Sequence, residues 1–357
     1  MRLVVQVVAV VGSFLVVASA AGQTQGKPAQ PKMTQDVYKN IQVLKDVPAD
    51  QLIPAMQFVA ASLGVECDFC HVPGAFEKDD KKNKQTARQM MTMMFNINKN
   101  DFQGNREVTC YTCHRGAHDP VSVPVIAETE SMPAEAAAPA SLPSAGQVLD
   151  KFIQAIGGAP ALDKVSSRIE RGKATVAGHQ MSIDIFAKAP DKRISVMHTD
   201  QGDSLTAFDG QTGWLGNPGR PVREMNSGEA DGARLDADLH FATDIHKIFN
   251  SLEVRGVEKI GDQDTYLVVG QREGRPPVRL YFNQKSALLL RMVRYYETPL
   301  GRNPAQIDYA DYREVDGVKI PFRWTIARPS GRFTIQVDQV QQNVPVDDAR
   351  FEKPAAK

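Results

Sequence analysis

The chain has 357 residues, more than one hydrophobic core usually organises, so two domains are the default expectation. Its 42 basic and 42 acidic side chains balance to a formal net charge of zero. There is no basic excess that would indicate nucleic-acid binding, and no acidic excess that would indicate a solvating tail.

The first twenty residues have the pattern of a secretory signal peptide. Arg2 gives a positive start, residues 3–17 are almost wholly apolar, and Ala18-Ser19-Ala20 is a small-x-small cleavage pattern. An uncleaved membrane anchor is the alternative, but the apolar run is short for a full span and has weak flanking charge. No Cys directly follows the segment to carry a lipid, so we expect a mature protein in the periplasm.

Composition divides the remainder of the chain into four segments. Residues 21–33, rich in Gln, Gly, Pro and Lys, are typical of a disordered leader, and residues 34–116 have a helical, Met-rich pattern. Residues 117–146 form a Pro/Ala-rich linker with little apolar content. Residues 147–353 alternate apolar and polar side chains between turn signals. We predict a multidomain α+β protein, α first and then mostly antiparallel β.

The last segment begins with helical patterns. An amphipathic helix is predicted over 147–156, followed by a helical turn over 159–164. About ten short strands are then expected, interrupted by one helix over about 235–249.

The chemistry of the chain is concentrated in two identical motifs. The first spans Cys67–His71 and the second Cys110–His114, and each has the form CxxCH, the attachment signature of c-type haem. The two thiols add across the two vinyl groups of iron protoporphyrin IX, and the following His faces the iron. The four thiols of the chain, on Cys67, Cys70, Cys110 and Cys113, thus predict two covalently bound haems.

Two other uses of CxxC pairs fit less well. A zinc ribbon prefers about 15–20 residues between its pairs, and these pairs are much further apart. A redox-active pair would not require His after the second Cys, let alone twice.

Methionines before each motif are the candidate sixth ligands of the iron. Met56 lies near the start of a helix predicted over 54–64 that leads directly into the first motif. A second helix is predicted over 86–98, where Met90, Met93, Met94 and Ile97 share one face and Met91 is turned away. Because a stripe of Met also fills cores, the residues alone leave the second ligand open among three methionines.

Residues 33–123 resemble the cytochrome c subunit of photosynthetic reaction centres. The resemblance is carried by LGVEC at 63–67, MMFNIN at 93–98 and VTCYTCHRG at 108–116. The haem unit of that family is a helix with an axial Met, a short turn, and a CxxCH motif that opens a second helix. The resemblance implies that Met56 and His71 ligate the first iron, and that Met93 and His114 ligate the second.

The chain departs from that family in two respects. Its photosynthetic members carry four haems in two pairs and are often lipid-anchored, whereas this chain has one pair and no such anchor. The resemblance therefore implies a diheme electron-transfer unit without implying photosynthesis.

The C-terminal segment resembles the outer-membrane lipoprotein-carrier superfamily. The resemblance lies in the opening at 147–165, in FDGQTGW at 208–214 and in the end at 316–351. That fold is a curved antiparallel half-barrel closed by helices over an apolar concave face. In carriers the concavity holds lipid tails; here we favour a docking or scaffolding domain whose concavity is filled by its own helices.

We therefore expect a periplasmic electron carrier, rather than a catalyst with its own substrate. Its partners would be periplasmic redox proteins, with a membrane-bound electron-transfer complex among the candidates. One alternative is a diheme peroxidase, which needs an open distal site and a nearby acid–base residue. A second alternative is a hydrophobic-ligand or lipid binder with a redox-active cytochrome module.

Overall fold

The computed structural model describes residues 31–120 and 142–353. The predicted signal peptide, most of the predicted leader and most of the predicted linker lie outside the described residues. The helices are Thr34–Val37 (α1), Leu52–Leu63 (α2), Lys82–Asp101 (α3), Cys110–His114 (α4), Ala145–Ala155 (α5), Ala159–Leu162 (α6), Ser227–Ala237 (α7) and Phe241–Ile248 (α8). Among the described residues, no helix has the length and apolar composition needed to cross a membrane.

The N-terminal part is helical, as its pattern predicts. The helices predicted over 54–64 and 86–98 are present as α2 and α3, each longer than its prediction. Helix α2 ends at Gly64, whose left-handed backbone (φ 65°) is the conformation that glycine adopts most readily at a helix end.

The C-terminal part is one antiparallel sheet of 13 strands. The strands are Ser167–Val176 (β1), His179–Lys188 (β2), Lys192–Thr199 (β3), Gly202–Phe208 (β4), Gly213–Gly216 (β5), Arg223–Glu224 (β6), Ser251–Ile260 (β7), Gln263–Arg272 (β8), Arg275–Asn283 (β9), Leu289–Glu297 (β10), Arg302–Val315 (β11), Val318–Arg328 (β12) and Gly331–Gln342 (β13). The α-then-β fold class is confirmed, with more strands than the ten predicted.

The order of the strands explains the position of two helices. The first six strands form one meander and the last seven form another, and the two meanders join where β1 pairs with β13. The chain must therefore pass from the β6 edge to the β7 edge on the opposite side of the sheet. Helices α7 and α8 make this connection, and α7 contacts β3, β4, β5 and β10 along the way.

Two helix predictions need correction, one in its start and the other because it is divided into two helices. The helix predicted to start at Gln147 starts at Ala145, because Ser144 caps it and exchanges hydrogen bonds with Gln147. The single helix predicted over 235–249 is two helices. Asp238 has an extended backbone between them, and its carboxylate accepts a hydrogen bond from the amide of His240 (2.9 Å).

The core of the β domain lies between the sheet and its helices. Val148, Leu149 and Phe152 of α5 pack in one apolar cluster with Ile245 of α8. The same cluster contains buried side chains from both meanders, among them Ile185, Val268, Leu280, Ile307 and Val337. Side chains of the chain itself therefore cover this face of the sheet.

Ion pairs fasten α7 to the same sheet. Asp231 accepts two hydrogen bonds from Arg272 (2.7 and 2.8 Å), and Asp236 accepts two from Arg294 (both 2.7 Å). Burial tends to raise the pKa of Asp236, but the adjacent Arg294 guanidinium outweighs burial and holds that pKa below its usual value. Each Arg makes a planar, two-pronged contact that fixes the orientation of the helix.

The tip of the β10–β11 hairpin reaches into the helical part of the protein. Leu300 is fully buried and belongs to the apolar cluster that contains Leu52, Ala55 and Phe58 of α2. A Cβ on Gly301 would lie 2.2 Å from the Phe58 ring, so the ring rests directly on the hairpin backbone.

Polar contacts complete this interface. Asn303 donates a hydrogen bond from its side-chain amide to the carbonyl of Pro54 (3.0 Å). Arg106 donates to the carbonyl of Thr298 and pairs with Glu297. The two parts are thus joined by a packed contact as well as by the chain between them.

We predict that Leu300→Asp separates the two parts of the protein without unfolding either one. The substitution removes roughly 1.5–3 kcal/mol of apolar burial and would place a charge in an apolar cluster. Small-angle scattering of the full chain should show a larger radius of gyration, with unchanged far-ultraviolet circular dichroism. Gln284→Asp, exposed at the neighbouring hairpin turn, is the control and should leave the radius unchanged.

Candidate haem-binding site

The first CxxCH motif follows the end of α2 after a three-residue turn. Cys67–Phe69 form one turn of 3-10 helix. The imidazole of His71 is held by a hydrogen bond between Nδ1 and the carbonyl of Phe76 (3.0 Å). Because a carbonyl only accepts, Nδ1 donates in this contact, and in the neutral imidazole Nε2 is then the nitrogen that carries no proton.

The second CxxCH motif forms the short helix α4. Thr109 precedes the helix, and its backbone amide donates to the hydroxyl of Thr112 (3.0 Å). His114 repeats the arrangement of His71, with a 3.0 Å hydrogen bond between Nδ1 and the carbonyl of Ala117.

Both imidazoles are therefore held by the same kind of contact. Metal-binding histidines commonly donate their second ring N–H to a backbone carbonyl or a carboxylate, which fixes the tautomer and the ring orientation. The resemblance implies that each motif opens a helix. The structure has a five-residue helix at the second motif and a single 3-10 turn at the first.

A cavity of about 670 Å³ adjoins the first motif. Cys67, Cys70 and His71 line it together with Met56 of α2. Its volume lies within the range of about 300–1,000 Å³ common for small-molecule and cofactor sites. The thiols, the imidazole and the predicted sixth ligand of the first haem thus border one space.

A smaller cavity of about 200 Å³ adjoins the second motif. It is lined by Cys110, Cys113 and His114, and by Met90, Met91, Met93 and Met94 of α3. All three candidate methionines face this space. Met94 is 4 % exposed and packs in the core, whereas Met90 and Met93 are 39 % and 47 % exposed, so exposure separates Met94 from the other two candidates.

The prediction for Met91 is wrong. Met91 is not turned away from the methionine face but is 8 % exposed, and it lines both cavities. The buried side chains of α3 are Lys84, Met91, Met94 and Asn98, three, four or seven positions apart, as one helix face requires. The prediction centred the buried face on Met90, Met93 and Met94 instead of on Met91 and Met94. All four side chains are equally apolar, so their pattern does not show which of them are buried.

The two cavities are neighbours that share a wall. Val59, Cys70, Ala87 and Met91 line both of them. One of the shared side chains is itself a predicted attachment thiol of the first haem. Groups bound in the two cavities would therefore lie next to each other.

The end of α2 contacts the segment after the second motif at two glycines, Gly64 and Gly116. The carbonyl of Ser62 accepts a hydrogen bond from the amide of Gly116 (2.8 Å). A Cβ on Gly64 would lie 2.1 Å from the carbonyl oxygen of Gly116, so a larger residue is excluded there. This contact holds the end of α2 against the segment that follows His114.

The buried side-chain amide of Asn98, which no sequence pattern identifies, fixes the backbone that leads into the second motif. Asn98 is 6 % exposed, and its side chain donates to the carbonyl of Val108 (2.7 Å). Its amide oxygen accepts from the backbone amides of Glu107 and Val108 (3.0 and 2.9 Å). These hydrogen bonds connect α3, which carries the methionines, to the segment directly before Cys110.

His118 also lines the second cavity. Its Nε2 contacts the carboxylate of Asp119 (2.9 Å), and its ring lies edge-on to Phe69 of the first motif (5.9 Å between centroids).

Within the described ranges, no cluster of three or more His, Cys, Asp or Glu side chains has the arrangement of a protein-held metal ion.

Comparison with known proteins supports the N-terminal assignment. The family model of the photosynthetic reaction centre cytochrome c subunit matches residues 14–150, which include both motifs. The photosynthetic reaction center cytochrome c subunit of Roseobacter denitrificans is 38% identical over 104 residues, covering 26% of this chain and 28% of that protein. The corresponding subunit of Thermochromatium tepidum is 37% identical over 91 residues, covering 24% and 22%.

These matches confirm the resemblance predicted for the N-terminal region and extend over about a quarter of the curated relatives. The similarity supports a c-type cytochrome role for this region, and the family it resembles implies covalently bound haem. Cytochrome c-554 of Chloroflexus aurantiacus is also similar, at 36% identity over 85 residues, covering 22% of this chain and 20% of that protein.

Solved structures of low sequence identity are similar to more than half of the chain. A LolA superfamily protein from Nitrosomonas europaea covers 59% of this chain and 99% of its own, with 16% identity and a TM-score of 0.42. A DUF1329 family protein from Desulfovibrio piger covers 58% and 97%, with 14% identity and a TM-score of 0.41.

We predict that Asn98→Ala destabilises the second haem segment selectively. The change leaves three partly buried backbone groups without their side-chain partner, which costs about 1–3 kcal/mol. Denaturant unfolding of the holoprotein, followed at the haem absorbance, should show a lower midpoint. Asn96→Ala, exposed on the same helix, should shift the free energy of unfolding by no more than about 0.5 kcal/mol. Equal losses in the two variants would contradict the assigned role of Asn98.

Proposed function

We propose that the protein is a periplasmic diheme c-type cytochrome that carries electrons between redox partner proteins. One haem is attached to Cys67 and Cys70 and the other to Cys110 and Cys113. The observation that carries the proposal is the repeated imidazole geometry, in which each predicted proximal His donates Nδ1–H to a backbone carbonyl and keeps Nε2 for iron.

The residues around each cavity fit the haems. The haem supplies a one-electron couple; the chain supplies two thiols, an imidazole and a methionine sulfur at each site. We propose Met56 and Met93 as the sixth ligands. Met ligation places the potential of a haem above that of a bis-His haem, as suits a carrier that accepts electrons readily.

The shared wall supports transfer between the haems. With Cys70 bordering both cavities, the attachment loop of the first haem also contacts the space of the second. An electron that enters either haem would then reach the other across a short packed path.

For the β domain we propose a scaffolding role. Its helices cover the face of the sheet that would otherwise be open, as expected of a domain that packs rather than carries a ligand. Its Leu300 hairpin packs against the first haem helix, so the domain braces the element that carries Met56.

The partners follow from this arrangement. Two of the relatives are subunits of photosynthetic reaction centres, so a membrane-bound electron-transfer complex is one proposed partner. The other proposed partner is a periplasmic redox protein, so that electrons pass between that redox protein and the complex through the cytochrome.

We predict that the ligand methionines act on separate haems. Met56→Ala and Met93→Ala should each convert one low-spin haem to high spin, because the iron loses its sixth ligand. Electron paramagnetic resonance of the ferric holoprotein, together with the weak methionine–iron absorption band, measures this change. Met94→Leu, a volume-conserving change in the core, is the control and should leave both haems low-spin.

Two outcomes would count against the proposal. If Met90→Leu or Met94→Leu removed the second ligand while Met93→Ala did not, the assignment of Met93 would be wrong. If the unmodified protein already contained a high-spin haem and turned over peroxide rapidly, a diheme peroxidase would replace the electron carrier.

A further inference from the structure

The carbonyl that holds the first proximal histidine is shared with a cation. The oxygen of Phe76 accepts from Nδ1 of His71 (3.0 Å) and also from the Nζ of Lys84 (2.9 Å). Lys84 lies in the first turn of α3, and its side chain crosses from that helix to the loop after the first motif. A single carbonyl oxygen therefore lies between the ammonium and the imidazole and accepts a hydrogen bond from each.

This ammonium is buried and fully engaged. Lys84 is 8 % exposed, which is rare for a lysine. Its Nζ also donates to the carbonyls of Glu77 (2.9 Å) and Lys78 (2.7 Å), and it pairs with the carboxylate of Asp79 (3.0 Å). The side chain is therefore fixed in place beside the first cavity, which it lines.

The charge of Lys84 is only partly neutralised. Asp79 also pairs with Arg88 (2.9 Å), so two cations share one carboxylate. Hydrogen bonds from Arg88 and Lys84 hold the pKa of Asp79 well below its usual range, so the carboxylate is ionised at neutral pH. The three side chains together leave one net positive charge, and both cations line the cavity of the first haem.

We propose that Lys84 raises the midpoint potential of the first haem through this shared carbonyl. The inference rests on the diheme function proposed above. A proximal imidazole that donates a strong hydrogen bond gains anionic character and stabilises ferric iron. The Lys84 ammonium draws electron density from the same oxygen, weakens that hydrogen bond and so favours the ferrous state.

The direct effect of the charge has the same sign. When bound, the haem would take up one electron from the donor protein and lose one positive charge, with no bond formed or broken. A fixed cation nearby, shielded from water, favours the state with the smaller positive charge. Lys84 is thus a tuning residue that acts through His71 and through space.

The second haem site lacks this arrangement. The carbonyl of Ala117 accepts from His114 at the same 3.0 Å distance, but no cationic side chain within 31–120 or 142–353 donates to it. The two sites share the ligand set and the imidazole geometry. Lys84 therefore distinguishes the first haem from the second.

The experiment is a spectroelectrochemical titration of the full-length holoprotein carrying Lys84→Met. The wave of the first haem is identified as the one altered by Met56→Ala. We expect Lys84→Met to lower its midpoint potential by about the equivalent of a tenfold change in the ferrous-to-ferric ratio, which is 59 mV for one electron. The second haem serves as an internal reference and should move far less.

Three further variants separate charge from structure. Lys82→Met removes an exposed cation from the same helix and should leave both potentials unchanged, because water screens that charge. Lys84→Arg keeps the charge and should restore much of the potential. Asp79→Asn removes the anion and should shift the first haem upward, opposite to Lys84→Met.

The outcomes decide between tuning and a purely structural role. If Lys84→Met left the first potential unchanged, or if Lys84→Met and Asp79→Asn both lowered it, Lys84 would act only by holding the loop and the proposal would be overturned. If no haem responded to Met56→Ala, the proposed ligand set would fail instead, and the two failures would be distinguishable.

Discussion

Each predicted proximal histidine donates a hydrogen bond from Nδ1 to a backbone carbonyl, which in the neutral ring leaves Nε2 as the nitrogen that carries no proton. At both His71 and His114 the Nδ1 contact is 3.0 Å long. Without this contact the imidazole could take either tautomer, and a free ring could turn away from the thiols. The turn after the first motif and the residues after α4 supply these two carbonyls, so local backbone geometry prepares the chemistry at both sites.

The surrounding fold keeps these two local units together. Gly64 permits the end of α2 to touch Gly116, and Asn98 ties α3 to the entrance of the second motif. The β domain adds a brace from outside, since Leu300 is buried in the cluster beneath α2. The position of Met56, the proposed sixth ligand of the first haem, therefore depends on residues such as Asn303, which is 249 positions from its partner Pro54 in the chain.

The sequence predicted the helices that flank the two motifs, because helical periodicity is a local signal. The attachment residues, which rest on the equally local CxxCH spacing, stay a prediction. The sequence placed Met91 on the wrong side of α3, since four apolar methionines within five positions give no clear polar face. It also could not reveal Asn98, Lys84 or Leu300 as structural residues. Their roles depend on backbone carbonyls and side chains brought together only by folding, and an isolated Lys or Asn carries no pattern for this.

The central claim is that the four thiols carry two haems. The most direct measurement is the intact mass of the protein purified from a host that matures c-type cytochromes, compared with Cys67→Ser/Cys70→Ser and Cys110→Ser/Cys113→Ser. We predict a mass two haems above that of the polypeptide, and one haem above it in each double variant. A mass equal to that of the bare polypeptide, or one that the substitutions do not change, would contradict the account.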